Sequence, residues 1–268
     1  MPQTYEKVWA YSKMKTPRIL QDLRIPELAN VSVTESGIDS YNQCLDKEHF
    51  KKFPYTVHYQ YNSRGFRDQE WPDSLQGLKD AVWAVGDSFT SGVGSPLTHT
   101  WPTVLAHSAN HRVINVSLDG ASNNWIARRC CDIYRELQPP NIVIMWSYSH
   151  RRGHSATYLS DMQRKIYQTK STWLEDYENF KQCRQQVQDC CTNSNIVELV
   201  IPSWQPVLSE SDRVDNHLRS QQLQDQLLVN MIEVSKLDLA RDGHHFDIKT
   251  VQWLVPQILA AIEPALES

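Results

Sequence analysis

The chain has 268 residues, 40% of them hydrophobic and 22% charged, with a formal net charge of −4. That length holds one large domain or one domain with an elaboration, and the charge balance gives no basic footprint for a nucleic-acid partner. No apolar run approaches the roughly 18 residues of a membrane helix, and "MPQTYEKVWAYSKMKTPRIL" lacks the apolar core of a secretory leader, so the chain is expected to be cytoplasmic, with no membrane partner.

Residues 1–75 are rich in aromatics and poor in long periodic segments. They are expected to form an N-terminal extension packed on a main domain at 76–268. Val57, Tyr59 and Tyr61 alternate with His58, Gln60 and Asn62, the period of a half-exposed strand. "NSRGFRDQEWPD" then reads as a turn region.

From about residue 80 strands and helices alternate. "AVWAVGD" is a short apolar run and reads as a buried strand. "THTWPTVLAHSAN" is a helix, with Thr100 in capping position and Pro102 in the first turn. "HRVINVS" is the next strand. "ASNNWIARRCCDIYREL" puts Trp125, Ile126, Cys130, Ile133 and Leu137 on one helical face. "PPNIVIMWS" is a third strand. Consecutive strand–helix units predict a parallel sheet in an α/β fold. Residues 151–195 interrupt this rhythm as a polar, helix-prone insertion. "NIVELVIPSW" restores a strand, residues 213–235 read as a helix, and "TVQWLVPQILAAI" closes the chain as a helix kinked at Pro256.

Six cysteines stand at 44, 130, 131, 183, 190 and 191, with no C-x-x-C spacing. They read as free thiols rather than zinc ligands or bridges. His244 and His245 are adjacent, and no H-E-x-x-H accompanies them, so no metal is expected. The glycines at 86, 92 and 94 precede no G-K-[ST] and form no G-x-G-x-x-G, so no nucleotide cofactor is expected either.

In open parallel sheets, ligands sit beyond the carboxyl ends of the strands. Three strand ends here carry polar residues: Gly86-Asp87-Ser88, "NVSLDGASNN" with Gly120 and Asn123, and "MWSYSHRR" with Trp146, Ser149 and Arg151. Near the C-terminus, Asp242 precedes His245 by three residues. A hydroxyl, backbone donors and an acid–imidazole pair on one edge are the parts of a serine hydrolase. The bland readings are a turn at Gly86–Ser88, with Asp87 as its cap, and a plain strand-to-helix turn at Gly120.

Taken in order, "VGDSFTSG", "NVSLDGASNN" and "DGHH" resemble the blocks of the SGNH (GDSL-type) hydrolase family. "YNSRGFRDQEWP" is similar to a lead-in before the first block in some members. The resemblance implies a three-layer α/β/α, flavodoxin-like fold. It also implies a Ser88 nucleophile, a His245 base oriented by Asp242, and an oxyanion held by the Ser88 and Gly120 amides. Where the family has Gly-x-Asn-Asp, this chain reads "WSYSHR", so either Ser149 or Asn123 supplies the third donor or the oxyanion is held by two. Trp146 is the candidate for stacking on a sugar, and Arg151 or Arg152 for meeting an anionic group. The implied activity is hydrolysis of an ester, such as a short acyl or O-acetyl group on a carbohydrate, with no cofactor. The alternative is a catalytically weak protein that keeps the fold to bind carbohydrate or to act as a scaffold.

Overall fold

The computed structural model describes residues 23–36, 38–149, 151–152, 173–201 and 229–266. Two short strands, β1 (Ser32–Val33) and β2 (Tyr59–Gln60), pair antiparallel near the start. The central sheet comprises β3 (Val82–Gly86), β4 (Val113–Ser117), β5 (Asn141–Trp146), β6 (Asn195–Val200) and β7 (Ile232–Glu233). These five run parallel in the order β4-β3-β5-β6-β7. The helices are α1 (Lys47–Lys51), α2 (Leu75–Asp80), α3 (Ser88–Ser91), α4 (Trp101–Ala109), α5 (Asn123–Leu137), α6 (Trp173–Cys190) and α7 (Ile248–Leu266).

Every residue of β3, β4 and β5 is buried. A parallel strand covered on both faces needs apolar residues throughout, which is why these segments read as runs rather than alternations. Successive side chains still point to opposite faces. Trp83, Val85, Ile114, Val116, Ile142 and Ile144 join one apolar cluster with residues of α5 and α6. Val82, Ala84, Val143 and Met145 join a second with residues of α4 and α7. The result is a three-layer α/β/α sandwich, as the resemblance implies. The α5 stripe of Trp125, Ile126, Cys130, Ile133 and Leu137 is buried as its spacing predicts, and Ser122 caps the helix by accepting from the Trp125 N–H at 3.2 Å. Thr100 stands at the α4 cap position, but its hydroxyl donates to the Leu97 carbonyl instead. All six cysteines are free thiols.

Two expectations are corrected. The second half of the expected insertion at 151–195 is the crossover helix between β5 and β6. Phe180, Cys183 and Val187 of α6 are buried in the first cluster, with Cys191 just beyond its end. These few apolar residues at helical spacing suffice for burial, and the polar remainder of α6 hid them from a compositional reading. Residues 153–172 of that insertion lie outside the described residues. The helix expected over 213–235 also falls largely outside them. Its final part is instead a turn at Asn230 (φ 68°) and the edge strand β7 beside β6. At the C-terminus α7 is continuous through Pro256.

Phe180 meets the Trp146 ring edge-on, 5.3 Å between centroids. Phe180→Ala is expected to cost about 3–5 kcal/mol of unfolding free energy, because the rigid sheet beneath cannot collapse into the void. Urea denaturation measures this directly.

The segment before the sheet is part of the same core. Leu23, Ile25, Phe66 and Trp71 are buried in the first cluster. Phe66 stacks on Trp71 at 5.3 Å, and Trp71 meets Trp83 of β3 edge-on at 5.4 Å.

Candidate active site

From β3 the chain crosses to β4 on one side, and β5 then lies on the other. The carboxyl end of β3 is therefore the topological switch point, where open α/β sheets place their ligands. Ser88 follows β3 after one residue, Asp87, and opens α3. Asp87 caps that turn by accepting from the Phe89 N–H at 3.0 Å. Gly92 ends it in the left-handed conformation at φ 72°, so the chain reverses at once and leaves Ser88 at the sheet edge.

Ser88 Oγ lies 2.8 Å from His245 Nε2. His245 Nδ1 lies 2.5 Å from Asp242 Oδ2. The other carboxylate oxygen accepts from the backbone N–H groups of His244 and His245, at 3.0 and 3.1 Å. Burial pushes the Asp242 carboxyl up, but the hydrogen bond and charge of His245, with the two amides, outweigh it. The group sits below the usual carboxylate range and is ionised. The Phe89 ring backs the His245 imidazole at 4.5 Å. Neighbouring His244 is pushed down to about 4, first by burial. It stays neutral, and its Nε2 is 3.1 Å from the Tyr148 hydroxyl.

Asp87 is fully buried. Besides capping α3 it accepts from the Ser147 hydroxyl at 2.6 Å and from Arg151 Nη1 at 3.0 Å. Burial raises its carboxyl above the usual range, and Arg151 and Ser147 oppose that. Asp87 is thus the cap of its turn, and Ser88 beside it meets the imidazole.

The other expected residues divide. Gly120 lies in the turn after β4 with φ 73°, a conformation glycine adopts without strain. Since Gly86 of β3 and Ser117 of β4 are in register, that turn belongs to the same sheet edge. Asn123 accepts from the Ser147 N–H at 2.9 Å and donates from Nδ2 to the Tyr148 carbonyl at 3.1 Å. It staples the loop after β5. Ser149 is buried in that loop. Arg151 is occupied by Asp87 and lies over the Tyr148 ring at 5.1 Å. Trp146 is a correction: it is 0% exposed and its Nε1 donates to Glu198 at 2.9 Å. As an inward position of β5 it faces α6, so it has no free ring face for a sugar.

Sequence reasoning missed Ser147, whose role as a donor to Asp87 depends on the neighbouring strand. No local signal identifies it.

Gly94 packs against this relay from the loop after α3. At φ 83°, an added Cβ would stand 2.9 Å from Asp242 Oδ1 and 2.9 Å from the Ala240 Cβ. Gly94→Ala is expected to destabilise the fold by at least about 1–3 kcal/mol, from backbone strain alone. It is also expected to lower activity by displacing Asp242. Thermal melts and turnover on the same sample check both.

Fold and site together define an α/β/α protein with a serine–histidine–aspartate relay at its topological switch point. A scan against models of known protein families finds no match, and no curated protein matches the chain. Several solved structures similar to it are esterases or lipases. The psychrotrophic esterase EstA from Pseudoalteromonas sp. aligns with a TM-score of 0.44 at 12% identity, over 70% of this chain and 100% of its own. A family two carbohydrate esterase from Clostridium thermocellum, in complex with cellohexaose, gives 0.42 at 14% identity, over 71% of this chain and 65% of its own. A GDSL-like lipase from Bacteroides thetaiotaomicron gives 0.39 at 14%, over 74% and 93%. Likeness at this level carries no argument about activity, which stands on this chain's own residues. Among the described residues, no helix is long and apolar enough to cross a membrane, and no group of three or more histidine, cysteine or acidic side chains is placed to hold a metal ion.

Proposed function

We propose that the chain is a serine esterase of the SGNH (GDSL) type, acting through an acyl-enzyme. The observation that supports this best is the unbroken relay from Ser88 Oγ through His245 to Asp242, at 2.8 and 2.5 Å. A hydroxyl is a weak nucleophile until an adjacent base takes its proton, and His245 Nε2 is within reach to do so. Ser88 Oγ attacks the ester carbonyl while its proton passes to Nε2. The N–H groups of Ser88 and Gly120 receive the developing oxyanion. His245 then gives the proton to the leaving alkoxide, and a water deprotonated by the same nitrogen releases the acid.

The third oxyanion donor of the resembled family has no asparagine here. Asn123 is engaged in stapling the loop and Ser149 is buried within it, so we assign the oxyanion to the Ser88 and Gly120 amides. Ser88 is nearly buried and Phe89 packs against the imidazole, which suits a short acyl group. A carbohydrate alcohol loses its support from Trp146, so the substrate is left as a small-molecule or saccharide ester. Fluorophosphonate labelling beside p-nitrophenyl acetate turnover tests the reading. Wild type takes the label and turns over, and Ser88→Ala does neither. A folded wild type that does neither would overturn it.

A further inference from the structure

The stretch "NSRGFRD" before the sheet has no part in the chemistry above, yet Arg67 within it is 1% exposed, with both terminal nitrogens of its guanidinium engaged. Its Nη1 donates to the carbonyls of Ser91 and Gly92 at 2.9 and 2.5 Å, and its Nη2 to that of Ser95 at 2.7 Å. One guanidinium therefore gathers three carbonyls of the loop that carries Ser88. Its planar fork suits this, and an ammonium would not reproduce it. The same guanidinium lies over the Tyr59 ring at 4.3 Å.

Tyr59 extends the contact to the other half of the relay. Its hydroxyl donates to Asp39 at 2.5 Å and accepts from the Gly94 N–H at 2.8 Å. Burial, reinforced by the Asp39 carboxylate, holds the phenol well above its ordinary range, so it remains a donor. Asp39 in turn binds Arg241 through both oxygens, each at 2.7 Å. Arg241 immediately precedes Asp242, and its backbone N–H donates to the Gly94 carbonyl at 3.1 Å. Gly94 is thus held on its N–H side by Tyr59 and on its carbonyl side by Arg241, and a Cβ added to it would meet the Asp242 carboxylate.

We propose that Asp39, Tyr59, Arg67 and Arg241 are positioning residues that set the distance between the Ser88 loop and the Asp242–His245 loop, which makes the N-terminal segment a working part of the site. The proposal rests on the esterase reading. Ser88 opens the single turn of α3, and Asp242 and His245 lie in a turn ahead of α7, so neither stands inside a long regular element. Their apposition has to hold a 2.8 Å hydrogen bond between residues 157 apart in the chain. A misplacement of 1 Å costs about 10²-fold in rate, so a buried polar bracket at this point acts on kcat rather than on binding.

The test compares Tyr59→Phe with Trp71→Phe. The first removes one hydroxyl and keeps the ring under Arg67. The second trims the apolar core of the same segment and touches neither loop. For each, kcat and KM with p-nitrophenyl acetate, the Tm, and the proton NMR signal of His245 Nδ1–H are measured. Tyr59→Phe is expected to lower kcat by about 10–10²-fold with KM changed by less than about twofold, and to shift or broaden the His245 signal. Trp71→Phe is expected to lower Tm at least as far while kcat and the signal stay as in wild type. Equal loss of kcat in both variants, in proportion to Tm, would overturn the proposal, as would an unchanged kcat in folded Tyr59→Phe. If wild type turns over nothing, the esterase reading fails and the His245 signal alone decides. A signal altered by Tyr59→Phe and not by Trp71→Phe then supports the bracket, and an unaltered one overturns it.

Discussion

Ser88→Ala and His245→Ala are each expected to lower p-nitrophenyl acetate turnover by about 10⁴–10⁶-fold and to abolish fluorophosphonate labelling. The physical reason is that the two groups act as a unit. Ser88 Oγ without the imidazole keeps its proton and is a poor nucleophile. The imidazole without Ser88 has no acyl acceptor to activate, and only the backbone donors remain. The double variant should therefore cost little more than either single one. Neither substitution removes a large side chain from the core, so both proteins should fold. Their far-UV spectra and melting curves check this. Label retained by folded Ser88→Ala would place the nucleophile elsewhere.

Asp242→Asn is expected to cost about 10⁴-fold in kcat while leaving the fold intact. The reason can be read from the carboxylate's partners. One oxygen accepts two backbone N–H groups, from His244 and His245, and the other accepts from His245 Nδ1. An asparagine has a single oxygen, and the two amides claim it. Its NH2 then faces the imidazole and forces Nδ1 to become an acceptor. The ring proton moves to Nε2, the nitrogen that has to take the Ser88 proton, and general-base catalysis stops. The change also has a pH signature. Asp242 sits below the usual carboxylate range in the folded protein, so its charged form contributes stability above the ordinary carboxylate pKa. That contribution is lost as pH falls through the depressed folded value. The gap in Tm between wild type and Asp242→Asn should narrow on acidification and be widest near neutral pH. A gap that widened in acid would contradict the ionised, hydrogen-bonded carboxylate.

Several features were legible before any fold was known because they are local. Ile126, Cys130, Ile133 and Leu137 recur at helical spacing, and α5 buries them. "AVWAVGD" is a continuous apolar run, and β3 is buried on both faces. Asp242 and His245 lie three residues apart, so one turn brings carboxylate to imidazole at 2.5 Å. Where local pattern misled, long-range packing was the cause. Trp146 stands at a strand end whose loop is polar, which made it look like a ligand residue. Inside the fold its direction follows the alternation of β5, and that alternation sends it under Phe180 of α6. Residues 229–235 have helical apolar spacing, yet the free edge of β6 takes Ile232 and Glu233 as a strand.

The chain's own order of residues thus carries the elements, their buried faces and the acid–imidazole pair, since each is governed by backbone sterics and periodicity within a few residues. The meeting of Ser88 with His245, and of Asp39 with Arg241, spans 157 and 202 residues. No spacing rule reaches so far. Those contacts exist because strand order puts the ends of β3, β4 and β5 on one edge and the N-terminal segment across it. A buried polar group in that region has to find partners wherever the packing brings them.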